Sequence, residues 1–343
     1  MYLTKSDQSV FVNKTYRTIL AIYVDDGLLV SKDKEDITKV IKHLKQEFEI
    51  KTSELGIFLG IEIKTLKDNT IVLSQKHYAK RIVDRFNLTE ANPVKIPVDA
   101  SQNLSMFNKD ENERKTIQMP YREAVGSLLF LATVSRPDIA YAVSVASKFI
   151  DKPNKIHWNA VKRIIRYIKG TLNFGLIYKS NNDITKIQAF SDADYAGDLT
   201  DRRSTTGYIL KLGNSVVVWG SQKQSCVALS TTESEYISAS QTIKEIIWLN
   251  KLTTELFKGK LETPTLFVDN QSAIKLIKNP EYHKRTKHID IRYHFVREKF
   301  FEKLFNVQYI ATQDQEADIF TKTLDRKRFE YLRDLIGVKD VNI

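Results

Sequence analysis

The order of strand-like and helix-like runs in the C-terminal half constrains this chain more than any other feature. KIQAFSD, TTGYILKL and NSVVVWGS stand close together and are rich in β-branched and aromatic residues, so they read as three strands. STTESEYISASQTIKEIIWLNKLTTEL then places Ile243, Ile246, Ile247 and Leu252 on one side of a long helix. TLFVDN reads as a fourth strand and QSAIKLI as a short helix. HIDIRYHFVREKFFEKL repeats Ile289, Tyr293, Val296, Phe300 and Leu304 at helical spacing, and NVQYIAT is a fifth strand. QEADIFTKTL and RFEYLRDLI close the chain as helices. This order predicts a compact α/β unit of ordinary domain size, beginning near Asp183.

Upstream the pattern differs. SVFV and RTILAIYV read as strands within Ser9 to Ser31, and Asp33 to Phe48 reads as a helix. IFLGIEIKT and NTIVLSQ form a second hairpin about the turn LKDN. Tyr78 to Leu88 and Tyr121 to Ile168 read as helical, broken at Pro137 and Pro153. Asn92 to Pro120 is polar, holds three prolines and reads as a long exposed loop.

Composition adds limits. Lysine and arginine number 53 against 42 acids, a net +11 that favours a polyanionic partner and equally suits a merely soluble basic protein. The single cysteine, Cys226, excludes an internal disulfide framework and fits a reducing compartment. No run reaches the ~18 apolar residues of a membrane span, and MYLTKSDQSV lacks the apolar centre of a signal peptide.

ILAIYVDDGLLVS places Asp25 and Asp26 side by side between apolar runs. Adjacent carboxylates repel unless solvated or joined by a cation. The pair therefore reads either as an ordinary Asp-Asp-Gly turn or as part of a Mg²⁺ platform. Tyr-Val-Asp-Asp between apolar strands resembles the palm motif of reverse transcriptases. KHYAKRIVDRFNL, YREAVGSLLFLATVSRPDIAYAVSVASKF and HWNAVKRIIRYIKGTLNFGLIY resemble the thumb and following region of copia-type LTR retrotransposon Pol polyproteins. SDADYAGDLTDRRSTTGYIL, LSTTESEYISAS, DNQSAIKLIKNPEYHKRTKHIDIRYHFVRE and QEADIFTKTL resemble their RNase H domain.

The resemblance covers essentially the whole chain and implies a partial palm over residues 1–75, a thumb and connecting region over 76–182, and an RNase H-like domain with a C-terminal tail over 183–343. The implied fold class is α/β: an α+β palm remnant and a helical thumb, followed by an RNase H-like mixed five-stranded sheet with flanking helices. Polymerisation needs a further carboxylate from an earlier strand. Asp7, in TKSDQS, is the only acid before Asp25 and carries nothing like the family's motif. Asp25 and Asp26 are then two ligands of an incomplete site, and this chain alone is expected not to polymerise DNA.

Hydrolysis of a phosphodiester by two Mg²⁺ ions needs several acids from separate elements meeting at one point. Asp192 ends the strand KIQAFSD, Glu235 lies early in the long helix, Asp269 ends TLFVD, and Asp318 opens QEADIF. The resemblance to RNase H assigns the catalytic, metal-binding acids to these four positions, with two Mg²⁺ ions and Mn²⁺ as a substitute. Each acid alone also reads as a helix cap or a solvated terminus. Asp194, Asp198 and Glu233 are rivals; Glu235 is four before Ala239 and eight before Ile243, toward the packed side, which favours it over Glu233.

Substrate contacts are expected from Arg202, Arg203, Ser204 and Thr205, from Lys284, Arg285, Lys287 and Arg292, a run that equally suits a solvated helix face, and from a patch of Lys162, Arg163, Arg166 and Lys169. His283, His288 and His294 lack nearby cysteines, which argues against zinc. The loop ATQDQ lacks the histidine that many RNases H carry before their last catalytic acid. The implied partners are an RNA–DNA hybrid and primer–template nucleic acid, with no membrane and an oligomeric state the sequence does not give. The implied location is a cytoplasmic virus-like particle, with nuclear entry as a further step. The rival reading is a catalytically silent nucleic-acid-binding remnant.

Overall fold

A computed structural model describes residues 1–13, 15, 18–99, 119–179, 184–257, 261–279 and 287–341, without the side chains of 287–291 and 293. Residues 100–118 of the expected loop, together with Asp183, His283, Lys284 and Arg285, lie outside the described residues.

The N-terminal strands β1 (Tyr2–Leu3), β2 (Val10–Asn13), β3 (Thr18–Tyr23) and β4 (Asp26–Ser31) form an antiparallel sheet in that order. Tyr23 pairs with Asp26, so Val24 and Asp25 are the two-residue hairpin tip. Val24 takes φ 53°, a strained conformation for a β-branched residue. Helix α1 (Lys34–Glu47) follows, and Ile22, Tyr23, Val24 and Val30 stay exposed.

β5 (Ile57–Phe58), β6 (Ile61–Thr65) and β7 (Ile71–Ser74) lead into α2 (Lys76–Arg85), α3 (Tyr121–Val134), α4 (Ala140–Ser147), α5 (Lys155–Lys169) and β8 (Phe174–Tyr178). The helix breaks fall at the expected prolines. Pro137 opens a 3₁₀ turn before α4, and Asn154, after Pro153, caps α5 in a reciprocal box with His157. β7 pairs with β8, and β8 with β14 (Val338–Asp340) near the C-terminus. This sheet therefore crosses both expected boundaries, at 75/76 and 182/183, and the tail is one of its edge strands.

The third sheet has the order β11-β10-β9-β12-β13, from β9 (Ile187–Asp194), β10 (Thr205–Leu212), β11 (Ser215–Lys223), β12 (Thr265–Val268) and β13 (Asn306–Tyr309). The first three strands are antiparallel, and β12 runs parallel to both β9 and β13. This is the mixed five-stranded sheet expected. One face buries Ala189, Leu210 and Leu266 with Ala239, Ile243 and Ile246 of α6 (Thr231–Leu256) and Ile274 of α7 (Gln271–Lys278). Val296 of α8 (Lys287–Phe301) belongs to the same cluster. The other face buries Phe190, Ile209 and Val216 in one core with Leu128, Val143, Ile164 and Phe320. The helices upstream of the sheet thus cover its second side.

QEADIF does not open an α-helix. Glu316–Phe320 is a short 3₁₀ turn, and α9 (Arg326–Leu335) starts only after it, capped by Asp325. Gly207 of β10 makes room for this turn, since a Cβ there would lie 2.5 Å from the Thr321 side chain and 2.8 Å from that of Phe320.

Candidate metal and nucleic-acid site

β9 and β12 are parallel neighbours, so their C-terminal ends lie together and bring Asp192 close to Asp269, the residue after β12. α6 begins at the Ser230 cap, which accepts from the Glu233 N–H at 3.2 Å. Two turns on, the Ser238 hydroxyl donates to the Asp192 carbonyl at 2.7 Å and accepts from Ser191 at 2.8 Å. Those bonds seat α6 on β9 and aim Glu235 at the strand ends. Carboxylate oxygens of Asp192, Glu235 and Asp269 all lie within 4.8 Å of one another. Among the described residues this is the one such group of three.

Asp192 and Glu235 are buried, and Asp269 is partly open. The Ala193 N–H donates to Glu235 Oε1 at 3.2 Å, while Glu235 Oε2 is buried and has no hydrogen-bond partner. Thr312 donates to Asp269 Oδ2 at 2.9 Å, and the Thr321 hydroxyl donates to Asp192 Oδ2. Burial, then the neighbouring Asp318 and Asp269, push the Asp192 carboxyl up to about 6 against the opposing pull of Lys322. Burial, then Asp192 and Asp269, hold Glu235 well above the usual carboxylate range.

Asp318 lies outside the group of three and beside it. Lys322 Nζ is 2.7 Å from Asp318 Oδ1 and 3.7 Å from Asp192 Oδ2, and Arg328 donates to Asp318 Oδ2 at 3.3 Å. The Gln315 amide donates to the Ser191 carbonyl at 3.0 Å, fastening this turn to β9. None of the four acids lies on the far side of the sheet. The Lys322 ammonium is lowered by burial and lifted more strongly by Asp192, Asp318 and Asp269. Lys322 carries a usable signal in the sequence, its i, i+4 spacing from Asp318. Thr321 and Gly207 offered none, because their roles exist only once the turn lies on the sheet.

The rivals have other work. Glu233 accepts from the Leu229 N–H at 3.0 Å. Asp198 pairs with Lys148 at 3.1 Å and Lys223 at 2.7 Å. Asp194, pushed up by burial, faces Lys322 and Lys148.

The expected substrate contacts divide. Arg202 is exposed in a tight turn at φ 58°, and Arg203 pairs with Asp201 at 3.5 Å. Ser204 must be corrected: it is fully buried, and its hydroxyl accepts from the Ala196 N–H at 3.1 Å, so it braces the turn and does not face a ligand. Arg292 reaches Ser225 Oγ at 3.4 Å and Cys226 Sγ at 3.6 Å, tying α8 to the loop before α6. Lys287 opens α8, but its side chain, like Lys284 and Arg285, is outside the described residues. Asn159, Lys162, Arg163 and Arg166 line an open cavity of about 530 Å³ with Leu88, Ala91 and Asn92. Arg163 pairs there with Asp99 at 3.0 Å, and Arg166 donates to the Asn92 carbonyl at 2.6 Å. Asp25 and Asp26 are exposed at their hairpin tip and join no group of three carboxylates among the described residues.

A family model described as reverse transcriptase (RNA-dependent DNA polymerase) matches residues 4–100. The Pol polyprotein of transposon TNT 1-94 from Nicotiana tabacum is 41% identical over 98% of this chain and 26% of its own length. This chain belongs to the copia-type retrotransposon Pol polyproteins. The Pol polyprotein of transposon RE1 from Arabidopsis thaliana is 40% identical over 98% of this copia-type chain and 23% of its own length. The copia-type chain thus spans about a quarter of the length of these curated relatives. The solved structure of the foamy viral protease-reverse transcriptase in complex with RNA/DNA hybrid is 13% identical, with a TM-score of 0.52 over 89% of this chain and 37% of that one. Its likeness extends the shared fold through most of the copia-type chain. No helix among the described residues is long and apolar enough to cross a membrane.

Proposed function

We propose that this chain hydrolyses the RNA strand of RNA–DNA hybrids with two divalent ions, Mg²⁺ or Mn²⁺, held by Asp192, Glu235, Asp269 and Asp318. The observation that carries the reading is Glu235 Oε2: a buried, unpartnered carboxylate oxygen within a group of three acids. Burying such a group is costly unless a cation completes it. An all-oxygen donor set fits a hard ion such as Mg²⁺. When bound, such ions activate water as a nucleophile and neutralise charge on the leaving oxygen. The chain's own residues fix the frame for this. Ala193 N–H holds one oxygen of Glu235, and Thr312 and Thr321 orient Asp269 and Asp192. Arg328 holds Asp318 beside them.

The substrate class follows from the +11 net charge and from the likeness to a reverse transcriptase solved with an RNA/DNA hybrid. Among the described residues Asp25 and Asp26 join no third acid, so primer extension is not part of this proposal. The test is incubation of the full chain with end-labelled hybrid and Mg²⁺ beside an Asp192→Asn control. Cleavage by the wild type alone supports the reading. Equal inactivity with retained hybrid binding replaces it with the silent-remnant reading.

A further inference from the structure

Among the described residues Lys322 is the one lysine whose ammonium bridges two of the four candidate ligands, at 2.7 Å from Asp318 and 3.7 Å from Asp192. Asp194, Glu235 and Asp269 also feel its charge. Among the described residues the other cation touching these acids is Arg328, which pairs with Asp318 and is committed to the Thr312 and Gln315 carbonyls as well. The adjacent Thr321 hydroxyl holds Asp192 Oδ2, the same oxygen that faces Lys322.

Carboxylates this close repel one another, and a compact ammonium on a flexible stem relieves that repulsion. The Lys322 side chain is 35% exposed, so solvent lies within its reach. An ion on Asp192 needs oxygens at about 2.0–2.1 Å, which puts +2 beside the ammonium's present position. The two cannot share the cluster at low cost.

Resting on the metal-site reading above, we propose that Lys322 is a positioning residue: the resident counter-ion of the ion-free acid cluster, displaced outward when a divalent ion binds. Its charge then sets ion affinity. It keeps the carboxylates converged without metal and weakens ion binding until the hybrid's phosphates add negative charge to the site. Ion loading is thereby coupled to substrate arrival.

The test is isothermal titration of the full chain with Mg²⁺, without nucleic acid, for the wild type, Lys322→Gln and Lys322→Arg. Lys322→Gln should bind Mg²⁺ about tenfold more tightly, the size of effect one charge at this range has on a carboxylate's proton affinity. It should also melt at a lower temperature in EDTA, having lost its counter-ion, while Lys322→Arg keeps wild-type values. A second readout needs no neutral variant: the ¹³Cε signal of Lys322, assigned by its loss in Lys322→Arg, should move with Mg²⁺ occupancy in the wild type. Unchanged or weaker affinity in Lys322→Gln, a static Lys322 signal at saturating Mg²⁺, or no Mg²⁺ binding by any form would overturn the proposal. A hybrid-cleavage assay separates the two ideas. Cleavage without the affinity shift sinks only the role of Lys322. The affinity shift without cleavage sinks only the nuclease reading.

Discussion

Glu235 is denied water and given one hydrogen bond for two oxygens, so its charge is a burden on the ion-free fold. Glu235→Gln should therefore abolish hybrid cleavage, by at least about 10²-fold, while raising the melting temperature in EDTA. Asp192 supplies the pH dependence. Its folded-state pKa is raised to about 6, so its contribution to stability is full below the ordinary carboxylate range and is lost as pH rises through about 6. In EDTA the melting temperature should fall between roughly pH 4 and pH 7. Saturating Mg²⁺ should flatten that fall, and an identical fall with and without Mg²⁺ would argue against ion binding at Asp192. Helical phase alone does not separate Glu235 from Glu233, since both are buried in α6; their partners do, Glu235 standing among the three acids and Glu233 accepting from the Leu229 N–H. The buried Ser204 was misread because a hydroxyl beside two arginines looks the same whether it faces solvent or closes a turn.

Asp318 reaches the cluster on a 3₁₀ turn that lies against Gly207, itself paired with Asp192 across the sheet. Gly207→Ala should push Thr321 and Phe320 off the strand. The expected cost is about 1–3 kcal/mol in denaturant unfolding, with a loss of cleavage that exceeds the loss of folded protein. An alanine variant as stable and active as the wild type would mean that the close approach is dispensable. The strands of the five-stranded sheet were legible because β-branched runs stand between clear turns. β8 and β14 were not, since their partners come from distant parts of the chain. QEADIF looked helical because its composition suits a first turn, but the turn follows the contour of the sheet beneath it. The loop after β9 is fixed by Asp198, held below the usual carboxylate range by Lys223, Thr200 and Lys148 against the opposing effect of burial. That anchor is present above the ordinary carboxylate pKa and is lost as pH falls below about 4.

The whole chain is organised less like beads than its motif order suggests. The sheet bearing the acids buries Phe190, Ile209 and Val216 under helices from the middle of the chain, and β14 returns to pair with β8. Residues 184–343 expressed alone should expose that face and aggregate or lose cooperative unfolding, whereas 57–343 should remain soluble and fold. Equal behaviour of the two fragments would support a self-standing domain from 183 onward. The exposed Ile22, Tyr23, Val24 and Val30 of the first sheet mark the opposite case, an apolar surface without a described cover. The central claim is that Asp192, Glu235, Asp269 and Asp318 share a pair of divalent ions. Anomalous diffraction from crystals of the full chain grown with Mn²⁺ and a hybrid tests it most directly. The account predicts two Mn²⁺ peaks about 4 Å apart, both touching Asp192, with Asp318 on one of them. Peaks lying away from Asp192, or none in a crystal with the hybrid bound, would contradict it.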